Sequence, residues 1–150
     1  AASAEWRCGE RETLNACEIE VVKTDGGIFY DGVREGMKTI AGSYRIFLVS
    51  NCQDWYMDLF LQFLGLKPIL AGYDCHGMSG QPKHEMFAGL MNRFGLKSPV
   101  YVGDTASDEN AARLAGIDFI HAAYGFGSPT ARAVSCPSFS ALVKHLQGID

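Results

Sequence analysis

From Tyr44 to the C-terminus the sequence predicts an α/β fold with a mainly parallel sheet. Two features carry that expectation: short, β-branched apolar runs alternate with longer stretches of helical period, and those stretches stop at glycine. Tyr44 to Ser50 (YRIFLVS) has strand length. Asp54 to Leu64 follows as a helix with Tyr56, Leu59, Phe60, Phe63 and Leu64 on one stripe, closed by Gly65. A short strand over Ile69 to Tyr73 leads into the glycine-rich loop YDCHGMSGQPK. Pro82 suits the first turn of the next helix, whose Met86, Phe87, Leu90, Met91 and Phe94 form an inward face ending at Gly95. Val100 to Val102 is the next strand, Ala106 to Ala115 the next helix and Ile117 to Ala122 a further strand. Ala111, Ala112 and Ala115 let that helix lie close to the sheet. Ser138 or Ser140 caps a last helix carrying Leu142, Val143 and Leu146. The organised part begins near Asp31, and residues 1–30 are harder to place.

At 150 residues, 47% apolar and 20% charged, the chain can bury the core of a single domain. No stretch approaches the roughly 20 apolar residues that span a bilayer, and AASAEWRCGERE lacks the basic-then-apolar pattern of a signal peptide. A cytoplasmic location is expected. A net charge of −4 and a pI near 5.5 argue against a nucleic-acid surface, so a bound phosphate would be small. The cysteines (Cys8, Cys17, Cys52, Cys75 and Cys136) are odd in number and scattered, as expected of reduced, mostly buried thiols. The chain starts at Ala1 and not Met, which leaves upstream processing or truncation open.

In open α/β sheets ligands bind beyond the carboxyl ends of the strands, so the residues there are the candidates for chemistry. Ser50 ends the first strand; its hydroxyl and the amides of Asn51 and Cys52 can hold phosphate oxygens at the next helix N-terminus, or Ser50 simply caps the turn. Lys83 opens a helix, where the dipole disfavours a cation unless an anion lies opposite; the plain alternative is a surface lysine. Asp104 leaves a strand after Gly103, and Asp108 returns one turn later on the same side. That pair suits Mg²⁺, which takes one or two protein carboxylates; the alternative is an N-cap at Asp104 with Asp108 on the helix dipole. His76, His84, His121 and His145 share no ligand spacing and read as surface or loop residues. Asp74, Cys75 and His76 can line a pocket mouth, and Ala123 to Gly127 (AYGFG) makes a tight loop near the same rim or a plain turn.

Taken in order, a strand ending in Ser50-Asn51, Lys83 opening a helix, and VGDTASD after a third strand resemble the second, third and fourth motifs of the haloacid dehalogenase superfamily, specifically its phosphatase-like members. YDGVREGMKTIAGSYRIFLVSN looks like the segment that brings such a chain from its cap domain back into the core, and the likeness covers roughly residues 28–145. The resemblance implies a Rossmann-like, three-layer α/β/α core over residues 31–150 that hydrolyses a small phosphate ester with Mg²⁺ and an aspartyl-phosphate intermediate. It also implies roles: Ser50 holds a phosphoryl oxygen, Lys83 steadies the transferring group, and Asp104 with Asp108 binds the metal. Phosphoryl transfer depends mainly on positioning and on neutralising spread charge, which agrees with these roles.

The family's first motif, a strand ending in D-x-D-G-T, has no counterpart before Tyr44. Its nearest echo, VVKTDGGIFYDG, has Lys23 in place of the attacking acid, and lysine cannot serve as that phosphate acceptor. Residues 1–30 are therefore expected to be the remnant of a cap segment, or a substitute first strand. In the family the absent strand is central, between those ending in Ser50 and Asp104, so two inner edges would be left unpaired. Three fillers are open: Glu18 to Thr24 (EIEVVKT), an upstream segment, or another chain in a homo-oligomer. This chain alone would then be inactive; the alternative is a non-catalytic module that binds phosphate or a phosphometabolite. A receiver domain fits less well, because its acidic pair comes early in the chain.

Overall fold

The computed structural model describes residues 18–24, 27–65, 67–128 and 134–149. A helical segment α1 (residues 18–24) precedes α2 (Val33–Ala41). Then come β1 (Ile46–Ser50), α3 (Asp54–Leu64), a 3₁₀ turn (Lys67–Ile69), β2 (Leu70–Cys75), the short α4 (His76–Ser79) and α5 (Lys83–Phe94). β3 (Val100–Gly103), α6 (Ala106–Ala115), β4 (Asp118–Ala122), β5 (Val134–Cys136) and α7 (Phe139–Gln147) complete the order. Every strand pairing is parallel, as the strand–helix alternation predicts.

Successive strand residues point to opposite faces, and the helices divide accordingly. On one face Phe47 of β1 meets Phe94 of α5 at 5.0 Å, and Tyr101 of β3 meets Phe87 of α5 at 4.6 Å. On the other, Leu48 packs with Met57 and Leu61 of α3, and Val102 with Ile120, Cys136 and Leu142 beside α7. Helix α2 packs on α7, and Arg34 Nη2 donates to the Phe63 carbonyl at 2.8 Å. The result is a three-layer α/β/α core.

The strands nevertheless form two sheets, β1–β2 and β3–β4–β5. Among the described residues no backbone hydrogen bond reaches the second edge of β1 or of β3. Both strands are only half-buried, and Val100 is 39% exposed. Helix α5 touches both sheets, so the two free edges belong to one layer.

Several elements differ from expectation. EIEVVKT, one candidate for the missing strand, is helical: Ile19 and Val22, three apart, are its half-buried positions. The buried stripe of α3 is Met57 and Leu61, an i, i+4 pair, while Tyr56 is 40% exposed. β2 runs on through Asp74 and Cys75, and the glycine-rich loop holds α4, so Cys75 is fully buried and lines no pocket mouth. Pro82 is the N-cap residue of α5 and stays extended. Ser138, not Ser140, caps α7, accepting from the Ala141 amide at 3.1 Å. β5, three residues long, is too short to show a period. Cys8 and Cys17, and Asp25 and Gly26 of the first-motif echo, lie outside the described residues; Cys52, Cys75 and Cys136 are free thiols, the last two buried.

Candidate active site

Helix α5 begins at Lys83, and α6 begins two residues before Asp108; the packing of the two helices brings these side chains together. Lys83 Nζ lies 2.5 Å from Asp108 Oδ1, with side-chain exposures of 14% and 8%. A lysine at a helix N-terminus opposes the dipole, and the opposing anion is Asp108. Tyr101 on β3 closes the group: its hydroxyl accepts from Lys83 Nζ at 3.2 Å and donates to Asp108 Oδ1 at 3.1 Å.

The second oxygen of Asp108 is also filled. Oδ2 accepts from the Asp104 amide at 3.3 Å, the Thr105 amide at 3.1 Å and Thr105 Oγ1 at 2.8 Å. Thr105 Oγ1 accepts in turn from the Asp108 amide at 3.1 Å, which completes a capping box. The N-cap of α6 is therefore Thr105 and not Asp104. Burial by itself would raise the Asp108 pKa, but the hydrogen bonds from Lys83 and Thr105 and the lysine charge outweigh it, and the carboxyl is held below its ordinary value. Gly103 makes room for this arrangement, since a Cβ there would lie 2.7 Å from that of Asp108.

Asp104 is turned another way. Its Oδ2 accepts from the Phe126 amide at 2.7 Å. A Cβ on Gly125 would stand 2.3 Å from the Asp104 Cβ, so the AYGFG loop can close over the carboxylate only with glycine there. Beside it opens a cleft of about 280 Å³ walled by Tyr30, Val102, Tyr124 and Phe126. The rings of Tyr30 and Tyr124 meet edge-on at 5.0 Å. Burial, with Cys136 and Tyr30 nearby, pushes the Tyr124 hydroxyl up to about 12.

Ser50, Asn51 and Cys52 sit apart from this group, at the end of β1 in the other sheet. Ser50 Oγ accepts from the Cys52 amide at 3.2 Å, so that amide is engaged within its own turn; the Gly77 amide donates to the Cys52 carbonyl at 3.0 Å. Among the described residues no hydrogen bond or ion pair joins Ser50 to Lys83, Asp104 or Asp108. His121 is buried in β4, not a surface or loop residue; its Nδ1 faces Ser135 Oγ at 3.0 Å. Tyr101 and Thr105 were not singled out from sequence, and only the S/T-x-x-D pattern of Thr105 and Asp108 signals one of them; the Phe126 amide belongs to the AYGFG loop read as lying near the rim.

A metal fits this constellation in one place. Among the described residues no three His, Cys, Asp or Glu side chains cluster as a ready cage. Asp104 Oδ1 has no hydrogen-bond partner among them, however, and one or two carboxylates completed by water and phosphate are what Mg²⁺ accepts. Asp108, expected as a second ligand, has both oxygens engaged.

A parallel α/β/α core with a lysine–aspartate pair and a further carboxylate, Asp104, at the strand ends places the protein among the α/β proteins of Rossmann-like architecture. The sequence pattern of the haloacid dehalogenase-like hydrolases matches residues 10–122, and the chain belongs to that family. No curated protein matches it by sequence. A haloacid dehalogenase-superfamily hydrolase (subfamily IA, variant 1) from Geobacter sulfurreducens PCA superposes with a TM-score of 0.68 at 22% identity, over 79% of this chain and 56% of that one. A predicted phosphoglycolate phosphatase from Haemophilus somnus 129pt gives 0.67 at 22% identity, over 77% and 56%. A haloacid dehalogenase-like family hydrolase from Xanthomonas campestris gives 0.66 at 18% identity, over 92% and 71%. The chain thus spans little more than half the length of the first two.

Proposed function

We propose that this chain is the greater part of the core of a Mg²⁺-dependent phosphatase acting on a small phosphate ester, and that it lacks the acid that attacks phosphorus. The observation that carries this reading is the Lys83–Asp108 pair, which places a fixed ammonium beside the strand ends, with the Asp104 amide donating to the other oxygen of the same carboxylate. Lys83 would offset the charge of the phosphoryl oxygens, and Ser50 with the Asn51 amide would hold them once a strand fills the gap between the two sheets. Asp104 would hold Mg²⁺, which when bound neutralises further phosphoryl charge. Asp108 keeps Lys83 in place and ties the β3–α6 turn together.

The gap between β1 and β3 is where a strand carrying the missing carboxylate belongs, because each edge offers a row of unpaired amides and carbonyls among the described residues. An upstream segment or a partner copy would supply it. A cytoplasmic location agrees with the described helices, none of which is long and apolar enough to cross a membrane. Both carboxylate oxygens of Asp108 are engaged within the protein, which favours one second reading, a module that binds phosphate without hydrolysing it.

Hydrolysis of p-nitrophenyl phosphate with Mg²⁺, run beside calorimetric titration of inorganic phosphate, tests both readings, and repeating the assay with the missing strand supplied separates them, since only the phosphatase reading then expects turnover. The chain alone should show no turnover yet bind phosphate, and Lys83→Ala should abolish binding. Robust turnover lost in Lys83→Ala would overturn the missing-acid account; no phosphate binding at millimolar concentration would overturn both readings.

A further inference from the structure

We propose that Tyr101 is a positioning residue for Lys83: its hydroxyl takes one ammonium N–H and donates its own proton to Asp108 Oδ1, so that the ammonium is left with a single N–H in a set direction. This inference rests on the phosphate-binding reading of the same site. The three contacts form a closed ring, with Lys83 to Asp108 at 2.5 Å, Lys83 to Tyr101 at 3.2 Å and Tyr101 to Asp108 at 3.1 Å. An ammonium has three N–H groups and no acceptor. With one held by the carboxylate and one by the phenol, rotation about Cε–Nζ is stopped and only the third donor can meet an incoming anion.

A lysine held by a carboxylate alone would lack this. Its ammonium could spin about the single contact, and the undiluted carboxylate would compensate more of its charge. Tyr101 removes both faults, because a phenol that donates to Asp108 spreads the carboxylate charge while it fixes the ammonium. Its ring is itself immobilised, in contact with Phe87 at 4.6 Å and Phe119 at 6.2 Å, with Lys83 Nζ 5.6 Å from the ring centroid. Burial, and then the charge of Asp108, push the Tyr101 pKa well up, so the hydroxyl remains a donor throughout the neutral range.

Tyr101→Phe keeps the ring and removes only the hydroxyl. The test reads the Lys83 ammonium by ¹H–¹⁵N correlation, assigned through Lys83→Arg, and sulfate binding by calorimetry. Tyr44→Phe serves as the matched control, because the Tyr44 hydroxyl bonds the Leu146 carbonyl, in the last turn of α7. In Tyr101→Phe the ammonium hydrogens should exchange with water at least several-fold faster, and sulfate should bind about fivefold to tenfold more weakly, the order expected for the net worth of a typical hydrogen bond. Tyr44→Phe should change neither. Unchanged ammonium exchange in folded Tyr101→Phe, or equal changes in Tyr44→Phe, would overturn the proposal. Faster exchange in Tyr101→Phe together with no sulfate binding by the wild type would uphold Tyr101 and reject the phosphate reading.

Discussion

Lys83 Nζ and Asp108 Oδ1, twenty-five positions apart in the chain, stand 2.5 Å from each other in a pocket that leaves the lysine side chain 14% and the aspartate 8% exposed. A buried charge left without its partner is costly. Asp108→Ala is expected to destabilise the fold by about 3 kcal/mol, because it strands the ammonium and also opens the α6 capping box. Lys83→Met should be milder, because the Asp108 carboxylate keeps its hydrogen bonds from Tyr101, the Asp104 and Thr105 amides and Thr105 Oγ1. Urea unfolding of both variants measures the difference.

The same pair sets the acid limb of stability. The folded-state pKa of Asp108 lies below its ordinary value of 3.8, so its contribution is complete above that pH and is lost as the pH falls toward the lowered value. Asp108→Asn should flatten this limb. Tyr101 works in the opposite sense: its folded pKa is raised above 10.0, so its contribution is complete below pH 10 and lost as the pH rises beyond it. Thermal melts across the two ranges, with Asp108→Asn and Tyr101→Phe, read the two limbs separately.

Gly125→Ala should be disruptive out of proportion to its size. The added methyl would stand 2.3 Å from the Asp104 Cβ, and one of the two must move. Overpacking of this kind costs about 1–3 kcal/mol. The Phe126 amide would also leave Asp104 Oδ2, so Mg²⁺ titration of the variant should differ from wild type as well.

Hydrogen exchange should map the divided sheet. β4 is paired on both sides, to β3 and β5, and its amides should exchange slowest. Amides of β1 and β3 that point toward the gap should exchange orders of magnitude faster than those pointing at β2 and β4. Uniform protection across β1 would show that its second edge is covered.

Leu61→Ala tests the core beneath β1 and α3. Leu61 is 2% exposed against Met57 and Cys75, and its truncation should lower stability by about 2–5 kcal/mol, measured by chemical denaturation.

Much of this was legible before any coordinates. Helix α6 matches its expected bounds, and α5 stops at Gly95, because a small-residue face and an αL glycine are local signals. The inner face of α5, with Met86, Phe87 and Leu90 buried, was equally plain. Residues 18–24 misled because β-branched content favours strands only where a sheet offers neighbours, and here Ile19 and Val22 serve one side of a helix. The stripe of α3 was off by a residue because aromatic side chains near both faces blur the period. Tyr101 escaped notice since nothing local marks a strand tyrosine as a partner for a lysine eighteen residues earlier.

By itself the sequence determined the alternation of strands and helices from β1 to β4, the family, and which polar residues stand at strand ends, because periodicity, capping and turn chemistry are written within a few residues; it did not mark α2, α4 or β5. Which of those residues meet was left to the tertiary structure. Only the packing of α5 on α6 made Lys83 and Asp108 a pair, only the close approach of the Gly125 loop put the Phe126 amide on Asp104 Oδ2, and only sheet pairing revealed two free edges among the described residues. Long-range contacts depend on how whole elements stack, and no local pattern encodes that.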